Sequence, residues 1–116
     1  SRDDERSGMI TLVQLLKLAK DQNASDLHIV SGSPPCLRIE GKIIRVKTEP
    51  LSPQKTRELC FSILNESQKS RFENSKELDF SFDVKDLSRF RGNYFFQKNC
   101  VSGVFRRIPN DIPHYG

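Results

Sequence analysis

One stretch limits the fold of this chain more than any other. From Leu78 to Val84, the apolar residues Leu78, Phe80, Phe82 and Val84 alternate with Asp79, Ser81 and Asp83. Side chains of a strand point alternately to its two faces, so this alternation describes a strand with one wet side and one buried side. A helix would scatter the same apolar residues around its circumference. Lys85-Asp86-Leu87-Ser88 reads as a turn, and the pattern then resumes. Arg89 to Gln97 divides into Phe90, Gly92, Tyr94 and Phe96 on one face and Arg89, Arg91, Asn93, Phe95 and Gln97 on the other. Lys98-Asn99 turns the chain again, and Val101 to Arg107 returns as a third strand. Three strands joined by short turns form an antiparallel meander that needs cover on one face only.

The first half supplies the cover. Thr11 to Gln22 carries Leu12, Leu15, Leu16 and Ala19 at helical spacing, with Thr11 as N-cap and Asn23 suited to the left-handed ending. Leu27–Val30 is a short strand. Ser31-Gly-Ser-Pro-Pro35 breaks it, and Leu37 to Val46 reads as a hairpin about Glu40-Gly41. Ser52-Pro53 starts a helix, with Ser as cap and Pro at the first helical position, and Leu59, Cys60, Ile63 and Leu64 form its stripe. Asn65 with Gln68 reads as a capping box for a further helix to about Glu73 or Asn74. The order α-β-β-β-α-α-β-β-β predicts an α+β domain, with a mostly antiparallel sheet of about six strands and helices on one face. Residues 9–108 hold these elements. Residues 1–8 (SRDDERSG) read as a disordered leader or cloning remnant, and residues 109–116, with Pro109 and Pro113, as an extended linker.

The length of 116 residues suits one domain. No apolar run approaches the ~20 residues that span a bilayer, and the polar N-terminus is unlike a secretory signal. Cys36, Cys60 and Cys100 are odd in number and form no CxxC pair, which argues against a disulfide framework and a zinc knuckle. Free thiols fit a reducing, cytosolic setting.

The net charge of +4 is unevenly placed. Residues 1–86 carry 14 basic and 14 acidic side chains, whereas the last 30 carry Arg89, Arg91, Lys98, Arg106 and Arg107 against Asp111. A basic segment in a neutral domain suggests an anionic partner, and solvated strand-face arginines are the plainer alternative. Arg89, Arg91 and Asn93 share one strand face and Arg106 lies on the next strand, so guanidinium forks there could grip phosphate oxygens. They could equally pair with Asp79 or Asp83 across the sheet. Asp26 and His28 flank Leu27 on another strand face, either a polar pair for a partner or an ordinary exposed face. GxxxxGK[ST] and GxGxxG are both absent, and no nucleophile triad is suggested, so a self-contained enzyme is not expected.

Several segments, in order, resemble a known family. Ala24-Ser-Asp-Leu-His-Ile29, Gly32-Ser-Pro-Pro35, Leu37-Arg-Ile-Glu-Gly41, Glu77-Leu-Asp-Phe-Ser-Phe82, Arg89-Phe-Arg91 with Asn93, and Val104-Phe-Arg-Arg-Ile-Pro109 are similar to the opening of type IV pilus retraction ATPases (PilT-like), of the type II/IV secretion ATPase superfamily. The resemblance runs from about Leu12 to Pro109.

It implies a hexameric ring protein with a PAS-like N-terminal domain, which this chain matches, and a RecA-like ATPase domain with the Walker motifs beyond the linker. The implied cofactors are ATP and magnesium for the whole protein, none tightly bound to this domain, and no metal site here. The implied partners are the RecA-like domain, neighbouring subunits of a homohexamer and an inner-membrane pilus platform protein, with no nucleic acid. The implied place is the cytoplasmic face of the bacterial inner membrane, and the implied task is pilus retraction for twitching motility. The resemblance assigns Arg91, Arg106 and Arg89 toward ATP phosphates, where they would stabilise charge on the transferring phosphate and couple domain rotation to hydrolysis. Lys98-Asn99 stands where relatives often carry another arginine, Gly92 where they carry an apolar residue, and Arg107 where they carry a small polar one.

Two further functions fit parts of the chain. A single-stranded nucleic-acid binder would use Arg89, Arg91, Tyr94 and Phe95, with aromatics stacked on bases. A small-ligand sensor would need a deep apolar pocket, and Phe80, Phe82, Phe90 and Phe96 leave little room for one.

Overall fold

Local chemistry fixes the helix ends. In a computed structural model describing residues 11–85 and 87–108, α1 spans Leu12–Asp21. Gln14 N–H donates to Thr11 Oγ1 at 3.1 Å, and Thr11 N–H donates to Gln14 Oε1 at 3.0 Å, closing a capping box. Asn23 takes φ 58°, and the N–H groups of Asn23 and Ala24 reach back to the Lys20 and Ala19 carbonyls, a Schellman ending. α2 (Pro53–Phe61) begins at the Ser52 cap with Pro53 in the first position. α3 (Glu66–Ser75) begins at the Asn65–Gln68 capping box and ends on Lys76 in the left-handed conformation.

The strands are β1 (Asp26–Ile29), β2 (Cys36–Ile39), β3 (Lys42–Arg45), β4 (Glu77–Val84), β5 (Ser88–Gln97) and β6 (Cys100–Ile108). They form one sheet in the order β3-β2-β1-β6-β5-β4, with every neighbouring pair antiparallel. Glu40 and Gly41 both have positive φ, as do Lys98 and Asn99, so each hairpin turns on two left-handed residues that match strand twist. β1 begins one residue earlier than its apolar pattern suggests, which draws Asp26 into the sheet. The N-terminal leader and the Pro109–Pro113 linker lie outside the described residues.

Register sorts the side chains. Leu37, Leu27, Phe105, Gly92 and Phe80 lie side by side across five strands. The helices cover this face. Phe72 of α3 is fully buried and meets Phe61, Tyr94 and Phe96 edge-on at 6.0, 6.0 and 4.8 Å. Gly92 belongs to the same packing, because a Cβ there would lie 2.8 Å from the Phe80 ring. That contact accounts for the glycine at this position. β3 lies at the sheet edge, and Ile43 and Ile44 stay about half exposed.

Cys60 of α2 sits at the centre of this core, and burial pushes its thiol up to about 12. Tyr94 beside it is raised for the same reason, with the neighbouring Cys60 adding to the rise. Cys36 and Cys100 are partly exposed. In native protein at pH 8, an aromatic disulfide reagent should therefore titrate two thiols rapidly and the third only on unfolding, since the thiolate is the reacting species. Above pH 9 the unfolded chain releases protons that the native core retains, so stability should fall toward pH 12. A urea midpoint followed from pH 8 to 11 should decline, and decline less steeply in Cys60→Ala.

Candidate functional site

The face without helices carries the charged side chains, because the other face takes every second residue of the strands for the core. Arg38, Asp26, Arg106, Arg91 and Ser81 form one cross-strand row over β2, β1, β6, β5 and β4. Cys36, His28, Val104, Asn93 and Asp79 form the next. Arg89 lies opposite Asp83 and Ile108. All three arginines singled out by the resemblance thus share one face, and Arg91 and Arg106 stand directly opposite each other. Asp79, Arg91, Asn93, Val104 and Arg106 line a shallow depression there.

Each arginine has an aspartate. Arg89 donates from Nη1 to Asp83 at 3.3 Å and from Nη2 to Ser81 Oγ at 3.3 Å. Arg91 donates from Nε and Nη2 to the two oxygens of Asp79, at 3.4 and 3.2 Å. The hydrogen bond to Asp79 and then its charge raise Arg91 above the usual guanidinium value. Arg106 donates from Nε to Asp26 Oδ1 at 3.1 Å. The plainer possibility, strand-face arginines paired across the sheet, is therefore realised for Arg89 and Arg91.

Asp26 is the residue that sequence reasoning undervalued. Its side chain is 8% exposed, and it takes a second guanidinium, Arg38 Nε at 3.6 Å, and the Ser25 hydroxyl at 3.1 Å. Arg38 drew no attention in the sequence because only the strand order brings it to Asp26. Lys98 sits at the far end of the β5–β6 hairpin, ~20 Å from the Arg91–Arg106 pair at 3.3 Å per strand residue. Arg107 points elsewhere and bonds Asn23 Oδ1 at 2.9 Å.

One alternative reading is corrected. Tyr94 is fully buried among Phe72, Phe80 and Phe105, so it cannot stack on a nucleic-acid base. Its place in the alternation puts it with the core, on the face opposite Arg89 and Arg91. Among the described residues, no group of three His, Cys, Asp or Glu is placed to hold a metal ion. No helix among them is long and apolar enough to cross a membrane.

No family model matches the chain. Individual relatives do. It is 39% identical over 101 residues to the type IV pilus retraction ATPase PilT of Pseudomonas aeruginosa, covering 87% of this chain and 29% of that protein. It is 38% identical over 100 residues to the type IV pilus ATPase PilU of the same organism, covering 86% of this chain and 26% of that protein. A crystal structure of the pilus retraction motor PilT with bound ADP superposes with a TM-score of 0.83 at 36% identity, over 90% of this chain and 31% of that one. The chain belongs to the type IV pilus retraction ATPase family. Within that family it is an N-terminal domain, and its antiparallel α+β sheet is the fold of the PilT domain. It spans about a quarter to a third of the length of the relatives it matches.

The ion pairs of this retraction-ATPase domain should differ in weight. Asp83→Asn breaks an exposed pair and should shift the unfolding free energy by less than ~1 kcal/mol, an effect that vanishes in high salt. Asp26→Asn removes a buried, charge-assisted acceptor and should cost ~2 kcal/mol, with much of the loss persisting in salt. Urea denaturation at two ionic strengths separates the two.

Proposed function

We propose that this chain is the regulatory and assembly domain of a hexameric pilus retraction motor, and that its helix-free face is turned toward ATP. One observation supports this most. Arg91 and Arg106 are set directly opposite each other across β5 and β6, an arrangement that like charges disfavour unless an anion joins them. Asp79 serves as a stand-in on Arg91, while Asp26 holds the Nε edge of Arg106. In the working protein the phosphates of ATP meet Arg91 and the outer edge of Arg106, with Arg89 alongside. Paired guanidinium donors fit phosphoryl oxygens and stabilise the charge that spreads over them during transfer.

The phosphate loop, the magnesium ion and the water-activating chemistry belong to a RecA-like domain beyond residue 116. This domain supplies the opposite wall, so nucleotide occupancy alters how the two domains sit and passes the state of one subunit to the next. The PAS-like sheet is thus a lever, its aromatic face packed against the helices. The motor acts at the cytoplasmic face of the inner membrane, against the pilus platform protein, and drives twitching motility. PilT and PilU among the relatives favour this over an unrelated ATPase.

Two measurements test the reading. The 116-residue chain alone should hydrolyse no ATP above background. In the longer protein, Arg91→Ala and Arg106→Ala should each lower the hydrolysis rate at least roughly 10-fold, the scale of a lost charge-assisted contact to the transition state, with this domain still folded at the assay temperature. Full turnover in both variants would refute the arginine assignment.

A further inference from the structure

Four arginines of this face, Arg38, Arg89, Arg91 and Arg106, are not equally available. Arg91 spends Nε and one Nη on Asp79, and Arg89 spends both Nη atoms on Asp83 and Ser81. Arg38 and Arg106 instead approach one buried carboxylate, Asp26, through Nε alone. Among the described residues, no hydrogen bond engages the terminal nitrogens of either, and their side chains are 46% and 71% exposed. Both line a single depression with Ser25, Asp26, His28 and Val104. Two guanidiniums on one carboxylate also leave an unbalanced positive charge here, whereas the Arg89–Asp83 and Arg91–Asp79 pairs are neutral.

We propose that Arg38 and Arg106, anchored through Nε to Asp26, form a two-pronged clamp for a phosphoryl group, with His28 at its rim. Asp26 is a positioning residue in this arrangement. By holding each guanidinium at its inner edge, it presents the outer Nη edges, and it restricts side chains that would otherwise lose rotamer freedom on binding. A phosphoryl group has three terminal oxygens, enough to accept from both forks and from an imidazole N–H together. A carboxylate has two and would satisfy less of the site. The clamp deepens the nucleotide reading and rests on it for the source of the phosphoryl group. It adds Arg38 to the binding residues and gives Arg106 a partner other than Arg91.

The test follows the arginine Nε–H signals of the isotope-labelled chain by NMR at low salt. ATP, tripolyphosphate, inorganic phosphate or adenosine is titrated in separate arms, and signals are assigned through Arg38→Gln and Arg106→Gln. The expected result is that ATP and tripolyphosphate shift both signals, adenosine shifts neither, and Arg38→Gln weakens binding roughly 10-fold while Arg57→Gln on α2 leaves it unchanged. Each variant takes one guanidinium from the buried Asp26 carboxylate and should melt somewhat below the parent, so binding is read at a temperature where all variants are folded. In Asp26→Asn the two signals should exchange with water as rapidly as those of unanchored arginines, and slow exchange there would overturn the anchoring. Inorganic phosphate binding as tightly as ATP would overturn a nucleotide source. Shifts confined to Arg89 and Arg91, with Arg38 still, would overturn the clamp while leaving the phosphate-facing role of the domain in place. No shift in any arm would likewise overturn the clamp, and the hydrolysis measurements on the longer protein would then decide the broader reading alone.

Discussion

The seating of three helices on one side of the sheet is the constraint on which everything else rests. A six-stranded antiparallel sheet has two faces, and only one is roofed. Once Phe72 and Cys60 press on Tyr94, Phe96 and Gly103, every second residue of β5 and β6 is committed to the interior. The residues between them have no choice. Arg89, Arg91 and Arg106 must share the open face, and the antiparallel register then fixes which pairs are neighbours. A one-residue slip in any of these strands would bury the arginines and expose the phenylalanines, so the core guarantees the geometry of the charges.

Much of this was legible in the residues. The helix starts at Ser52-Pro53 and Asn65–Gln68, the two-residue turns at Glu40-Gly41 and Lys98-Asn99, and the alternation from Leu78 to Phe96 each carry a local cause that survives in the folded chain. What was not legible is non-local. Asp26 and Arg106 are 80 positions apart and meet only because β1 lies between β2 and β6 in the sheet. Nothing in the spacing of Asp26 and His28 announces that one of them will be buried under two guanidiniums. Ser102 fails the alternation rule too: it faces away from Val101 and Gly103 yet is fully buried, its hydroxyl without a hydrogen-bond partner among the described residues. The edge position of β3 leaves its two isoleucines half exposed.

The charges on the open face therefore fall into two kinds. Asp79 and Asp83 hold their arginines in water, where the attraction is screened and side-chain entropy opposes it. Such pairs open readily when a better anion arrives. Asp26 works in a drier setting, with Ser25 and two strands around it, and its grip on Arg38 and Arg106 is correspondingly firmer. One sheet thus offers arginines that can be released and arginines that are held in place.

The strand order has a consequence for how the domain comes into being. β4, β5 and β6 form a meander whose contacts are close in sequence, so that half can assemble as soon as it exists. β1, although made much earlier and already able to pair with β2, finds its second neighbour only in β6. During synthesis the first third of the chain must wait, with Leu27 and Leu37 unsheltered, until residues near Ile108 have cleared the ribosome. The pairing of Asp26 with Arg106 then joins the oldest strand to the newest and closes the sheet.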